Sequence, residues 1–217
     1  MTTLVHRRSG AGGEPSAGEL VRRRYDRIAR AYDLLGGLDL LLTRRWREAL
    51  WSKVEGKRVL EVGVGTGINF PFYPRDAHVT GIDIAPKMLA AARKRAARTG
   101  ASVDLELGDV QALQFPTASF DTVIATFVFC SVPDPVLGLR ELRRVLRPHG
   151  RLLLLEHVVS ARPRLARLMR SVDPLMARLS GAHIARDTVL NVERAGFADV
   201  TARPMLLDLV QLIEGAP

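Results

Sequence analysis

Nine residues, Val59-Leu60-Glu61-Val62-Gly63-Val64-Gly65-Thr66-Gly67, decide what kind of sheet this chain can build. The apolar run follows the turn signal Gly56-Lys57-Arg58 and reads as a strand buried on both faces, as parallel strands are. It ends in an acid and then alternates glycine with other residues. Glycine has no Cβ, so such a loop turns tightly and brings its backbone close to a ligand. A dinucleotide loop spaces its glycines G-x-G-x-x-G after a strand. Counted from Gly63, its last glycine would fall on Ile68, so that reading fails. The spacing here is acid-x-Gly-x-Gly-x-Gly, which alone also suits a strand-to-helix turn with no ligand.

A second acid separates these readings. Val79-Thr80-Gly81-Ile82-Asp83 reads as the next strand, and Asp83 lies 20 residues beyond Gly63. A doubly wound sheet places a ribose-binding carboxylate at about this interval. Taken together, the loop and Asp83 resemble motif I and its partner acid in the class I S-adenosylmethionine (SAM) methyltransferases.

The chain has 217 residues, 47% hydrophobic and 25% charged, as expected of one soluble domain with its own core. The single cysteine, Cys130, excludes an intramolecular disulfide and a cysteine zinc cluster, and fits a reducing compartment. No metal site is expected. No apolar run reaches the roughly 18 residues of a membrane span. His6, Arg7 and Arg8 are followed by no apolar segment, so residues 1–18 do not read as a secretory signal. A cytoplasmic location is the expectation. The net charge of +9 points to a polyanion or an anionic membrane face. General compositional bias toward arginine, alanine and leucine explains it equally well.

Residues 1–18, rich in Gly, Ser and Pro, are expected to be a disordered tail, with the domain running 19–217. Residues 19–51 read as two lid helices broken at Gly36-Gly37. Val21, Tyr25, Ile28 and Tyr32 form one face, with Arg22, Arg23, Arg24, Arg27 and Arg30 around it. Strands are expected at 58–62, 78–82, 103–107, 120–125 and 151–155, alternating with helices. Pro71 and Pro74 keep the first crossover helix short. The second runs 87–98, and Asp134-Pro135 opens another that stops by Pro148 and Gly150. A helical insertion at 162–180 carries the stripe Leu165, Leu168, Met169, Val172, Leu175, Met176 and Leu179, with Pro174 kinking or restarting it. Asp187 caps a last helix, and 197–203 and 206–213 close the fold. The alternation implies an α/β fold with a mostly parallel sheet. The resemblance makes it a Rossmann-like, doubly wound sheet of seven strands with an antiparallel C-terminal hairpin edge.

The resemblance also assigns residues. Gly63, Gly65 and Gly67 would approach the methionine part and ribose of SAM. Glu61 would help hold the amino-acid end, and Asp83 would accept both ribose hydroxyls. Met88 would lie near the adenine, Asp109 would receive its amino group, and Ile84 and Val110 would also bind the cofactor. Thr126 and Phe127 would line the methyl-transfer opening. S-adenosylhomocysteine would be the product. SAM arrives activated, so orientation and exclusion of water matter more than a base. His157, after the fifth strand, is the best candidate for one. Tyr25 and Tyr32 are expected to face the acceptor cleft.

Ala125-Thr126-Phe127-Val128-Phe129 stands where base-amine methyltransferases carry an Asn/Asp-Pro-Pro-aromatic segment, so no nucleic-acid partner is expected. Over about 20–205 the chain is most similar to small lipid and quinone methyltransferases. Arg24-Tyr25-Asp26 with Ala31-Tyr32-Asp33 resembles the N-terminal motif of bacterial phosphatidylethanolamine N-methyltransferases and of menaquinone-type C-methyltransferases. Phe127 to Val132, Leu146-Arg147-Pro148, Glu156-His157-Val158 and 181–197 resemble membrane-associated thiol methyltransferases. The resemblance implies a phospholipid or small apolar acceptor and a monomer docked on the anionic inner membrane face. A quinone precursor or thiol acceptor, and a SAM-binding domain without turnover, remain open.

Overall fold

A computed structural model describes residues 15–217. Residues 1–14 of the expected tail lie outside it; the remainder of that tail is not irregular. Ser16 caps helix α1 (Ala17–Trp51), its hydroxyl accepting the Glu19 N–H at 3.2 Å. The Ser-x-x-Glu pattern that marks a helix start thus lies inside the stretch read as tail.

α1 is one helix of 35 residues, not two. Two helical glycines cost about 1 kcal/mol each. A Cβ at Gly36 would stand 3.2 Å from Ile68 Cδ1, so glycine suits the close approach of the helix to the glycine loop.

The strands are β1 (Arg58–Val62), β2 (His78–Asp83), β3 (Asp104–Leu107), β4 (Phe120–Thr126), β5 (Leu146–His157), β6 (Ala198–Leu206) and β7 (Val210–Ala216). The helices after α1 are α2 (Pro86–Thr99), α3 (Pro135–Val145), α4 (Pro163–Ser180) and α5 (Thr188–Arg194). Only a 3-10 turn, Phe70–Phe72, fills the first crossover. α4 runs through Pro174 as one helix.

The seven-stranded order is β3-β2-β1-β4-β5-β7-β6. β1 to β5 pair in parallel, and β7 lies antiparallel to both β5 and β6. Pro204 belongs to β6 instead of ending it. β6 is the edge strand, where a missing N–H is tolerated.

Strand alternation sorts the core into two faces. Leu60, Val123, Leu152 and Leu154 face Leu139, Leu142 and Val145 of α3 and Val192 of α5. Val59, Ile124, Leu153 and Leu155 face Leu50 and Trp51 of α1. Val64 and Phe70 pack with Leu89 and Ala92 of α2 in an adjoining cluster. The strand order reverses between β1 and β4, where open α/β sheets bind ligands beyond their carboxyl ends.

Candidate active site

A cavity opens at that reversal, where ligand sites of such sheets are found. Gly63, Gly65, Asp83, Ile84, Met88, Asp109, Val110 and Thr126 all line it, as do Tyr25 and Tyr32 from α1.

Asp83 ends β2 and is 8% exposed. Its Oδ2 accepts the Gly65 N–H at 2.9 Å and its Oδ1 the Ala85 N–H at 2.8 Å. Burial raises its pKa to about 6, against the pull of those N–H groups. A carboxylate has about four lone-pair sites, so both oxygens can still accept from a ligand.

Gly63 (φ +65°) takes a backbone conformation that favours glycine, and a Cβ there would overlap the Val128 side chain. A Cβ at Gly65 would meet no side chain and would project from the cavity wall into open space. A backbone cradle beside an acid with spare acceptors suits a nucleoside with a ribose diol. The residues present therefore fit SAM.

Two assigned residues stand back from the cavity. Glu61 is 1% exposed and is not part of the wall. It accepts the Asn69 amide at 2.5 Å and the Tyr73 hydroxyl. Burial raises its pKa to about 7, opposed by those bonds and by Arg47. Asn69 also donates to Thr126 Oγ1 at 3.1 Å and accepts from Arg47 at 2.5 Å. Glu61 thus braces the turn after the loop. Gly67 likewise serves the turn, with the Phe70 ring packed where its Cβ would be.

His157 is also absent from the wall. Its ring stacks on Phe127, centroids 4.5 Å apart, and burial lowers its pKa. Alternation along β5 explains the placement: His157 shares the α1 face with Leu153 and Leu155. Its neighbour Glu156, on the other face, reaches under the loop after β4. Its Oε1 accepts the N–H groups of Val128 at 2.7 Å and Phe129 at 3.0 Å.

The lid reaches that same loop, with 2.6 Å between Tyr25 Oη and Ser131 Oγ. Burial raises the Tyr25 phenol well above its usual range and the Cys130 thiol to about 12. Neither is an ionised base at neutral pH. Asn69, Tyr73 and Arg47 had no signal in the spacing of motifs, and Ser131 and Glu156 lay in segments of the thiol-methyltransferase resemblance without a role of their own. No group of three or more acidic, His or Cys side chains is placed to hold a metal among the described residues.

A sheet of this order with a ribose acid and glycine cradle at its reversal defines a class I SAM methyltransferase, and similarity to known proteins agrees. The methyltransferase-domain family model matches residues 60–154. A phosphatidylethanolamine N-methyltransferase from Cereibacter sphaeroides is 38% identical over 92% of this chain and 91% of that protein. A demethylmenaquinone methyltransferase from Deinococcus radiodurans is 38% identical over 69% of this chain and 65% of that protein. The thiol S-methyltransferase TMT1B of Rattus norvegicus is 34% identical over 65% of this chain and 60% of that protein. A solved structure from Thermotoga maritima, described as a SAM-dependent methyltransferase and possible histamine N-methyltransferase, shares the fold. Its TM-score is 0.64 at 22% identity, covering 89% of this chain and 98% of that one. The chain belongs to the SAM-dependent methyltransferases.

Proposed function

We propose that this methyltransferase acts on the amine of phosphatidylethanolamine, toward phosphatidylcholine, while docked on a membrane. The observation that carries the reading is the exposed apolar surface on three elements, α4, the β6–β7 turn and α1. Leu168, Val172 and Leu175 of α4 are exposed, so much of its stripe does not pack on the domain. Leu206 and Leu207 stand exposed where β6 turns into β7, beside Val210, the β-partner of His157 at the carboxyl end of β5. On α1, Leu41 is 74% exposed, and Leu38 and Leu42 are exposed with it. Asp39, between them, is near enough to act on the charge of His157. Apolar side chains of this kind enter the acyl boundary while neighbouring arginines meet head groups. Likeness to the Cereibacter sphaeroides enzyme along nearly its whole length supports the same acceptor. No helix among the described residues is long and apolar enough to cross a membrane, so the docking proposed is peripheral.

Bound SAM supplies an electrophilic methyl group. The chain's own part is to orient the acceptor and exclude water. Tyr25 and Tyr32 close the cavity from α1, and their rings offer a cation–π surface to an ammonium. Tyr25 is protonated and Asp83 is taken up by the cofactor in this reading, so the attacking amine enters neutral, having lost its proton to water.

Incubation with methyl-labelled SAM and a lipid extract tests the acceptor. Label is expected in phosphatidylcholine or its methylated intermediates, and at least ~10-fold less when Tyr25 and Tyr32 are both alanine. Label in a quinone precursor or a thiol instead would move the assignment to the chemistry of the other relatives. No label in any acceptor would leave a SAM-binding domain.

Vesicle sedimentation tests the docking. Binding to anionic vesicles is expected to weaken with salt, since each arginine adds about 1 kcal/mol and is screened. It is expected to weaken again when Arg22, Arg23 and Arg27 become Glu, and separately in the Leu41→Glu, Leu42→Glu double variant. Indifference of the unaltered protein to anionic vesicles at low salt would point to a soluble acceptor.

A further inference from the structure

Glu156 is 0% exposed at the end of β5, an expensive place for a carboxylate with nothing to do. Only one of its oxygens is used: Oε1 takes the two consecutive N–H groups of Val128 and Phe129, while Oε2 is buried without a partner. The residue just before them, Phe127, sits at φ +57°, a left-handed backbone that a bulky side chain adopts only when its surroundings impose it.

Those surroundings are two neighbours on β5. The Phe127 N–H donates to Leu155 O at 2.8 Å, and its ring is held by His157. Phe127, Val128 and Ser131 all line the cavity. Val128 occupies the space that a Cβ on Gly63 would take, so the loop after β4 rests directly on the cofactor loop. Ser131, in the same turn, bonds Tyr25 of the lid.

We infer that Glu156 is a positioning residue for methyl transfer: its buried carboxylate holds the 127–131 turn so that Phe127 and Val128 set the wall between cofactor and acceptor. It touches neither reactant and acts through the two backbone bonds. The inference rests on the methyltransferase class and not on the phospholipid reading. Displacement of reacting groups by even 1 Å is costly in rate, so loss of these bonds is expected in kcat ahead of SAM affinity.

Three variants test it. Glu156→Leu keeps bulk and loses both bonds, Glu156→Asp keeps charge but falls a methylene short, and Glu156→Gln keeps a carbonyl oxygen as acceptor. The first readout is amide hydrogen exchange, which needs no acceptor substrate. In Glu156→Leu the Val128 and Phe129 amides are expected to exchange at least ~100-fold faster, with those of Leu152 to Leu155 within ~3-fold of the unaltered protein. The second is turnover on whichever acceptor the unaltered protein methylates. There kcat is expected to fall at least ~10-fold while the SAM Kd stays within ~3-fold. Glu156→Gln restores both readouts. Glu156→Asp behaves like leucine, and decides the matter should leucine prevent folding. Unchanged exchange at Val128 and Phe129, or a glutamine variant no better than leucine, would overturn the inference. So would a SAM affinity that falls in step with kcat. Absence of lipid methylation by the unaltered protein would sink the phospholipid reading alone, because the exchange result stands without it.

Discussion

Asp83→Ala is expected to lower SAM affinity by roughly 100-fold or more in calorimetric titration, with little change in melting temperature. Two hydrogen bonds from a ribose diol to a carboxylate are worth about 1.5–3 kcal/mol each, and 1.4 kcal/mol is a factor of ten. Stability moves little because two effects oppose one another. Alanine leaves the N–H groups of Gly65 and Ala85 without their acceptor. It also removes a buried charge whose ionisation opposes folding. The folded pKa of about 6 is above the ordinary 3.8, so the cost of ionising Asp83 grows as pH rises between those values and is fully present at neutral pH. The same shift makes binding pH-dependent. The ionised form accepts best, so SAM affinity is expected to fall as pH drops through about 6. The alanine variant lacks that step, which separates Asp83 from Glu61 and other groups titrating nearby. Unchanged affinity in the variant, or a flat profile in the unaltered protein between about pH 7.5 and 5, would remove Asp83 from the ribose.

What could be read from the chain was short-range. Glu61 to Gly67 and Asp83 announce themselves because a glycine loop and an acid ending the next strand are local patterns. Their structural roles divide in a way spacing does not reveal. Gly63, Gly65 and Asp83 face the cavity, whereas Glu61 turns inward to Asn69 and Tyr73. That difference depends on Arg47, which reaches Asn69 from α1 across 22 positions of sequence. Gly36-Gly37 was misleading for a related reason: the close packing of Ile68 on Gly36 is a long-range contact that the local sequence does not show. Glu156 and His157 show the limit most plainly. Both follow a strand at the right rim, and histidine is the more familiar base. Register in the sheet decides between them, and it turns Glu156 to the loop and His157 to α1. The apolar stripe of α4 was legible as a stripe, but its exposure was not.

Arg47→Leu is expected to produce the largest loss of stability, about 3–5 kcal/mol, the range for removing one partner of a buried charge network. The guanidinium is 4% exposed and spends each donor group on a different partner. It donates to Thr43 Oγ1 at 2.8 Å, to Asn69 Oδ1 at 2.5 Å and to Asp39 Oδ2 at 2.7 Å, and lies over the Phe127 ring at 5.7 Å. Asp39 is partly exposed and can be hydrated once abandoned, which favours the lower end of that range. Glu61 cannot. Arg47 is one of the influences that hold its pKa down to about 7, and leucine would let it rise further. The sign follows from linkage: a carboxylate whose folded pKa is raised makes stability fall as pH rises through it. The deficit of Arg47→Leu is therefore expected to be smallest below about pH 6, with Glu61 protonated, and largest above about pH 8. Glu61→Gln removes the stranded charge and keeps one carbonyl oxygen to accept from Asn69, while its amide NH2 can donate to the Tyr73 hydroxyl oxygen. In the double variant it is expected to recover at least ~1 kcal/mol relative to additivity. Urea denaturation of the four proteins at two pH values measures both effects. A single variant within about 1 kcal/mol of the unaltered protein would show Arg47 to be dispensable. An additive cycle would show that α1 is not tied to the cofactor loop through Glu61, leaving Asp39, Thr43 and Asn69 as the partners that matter.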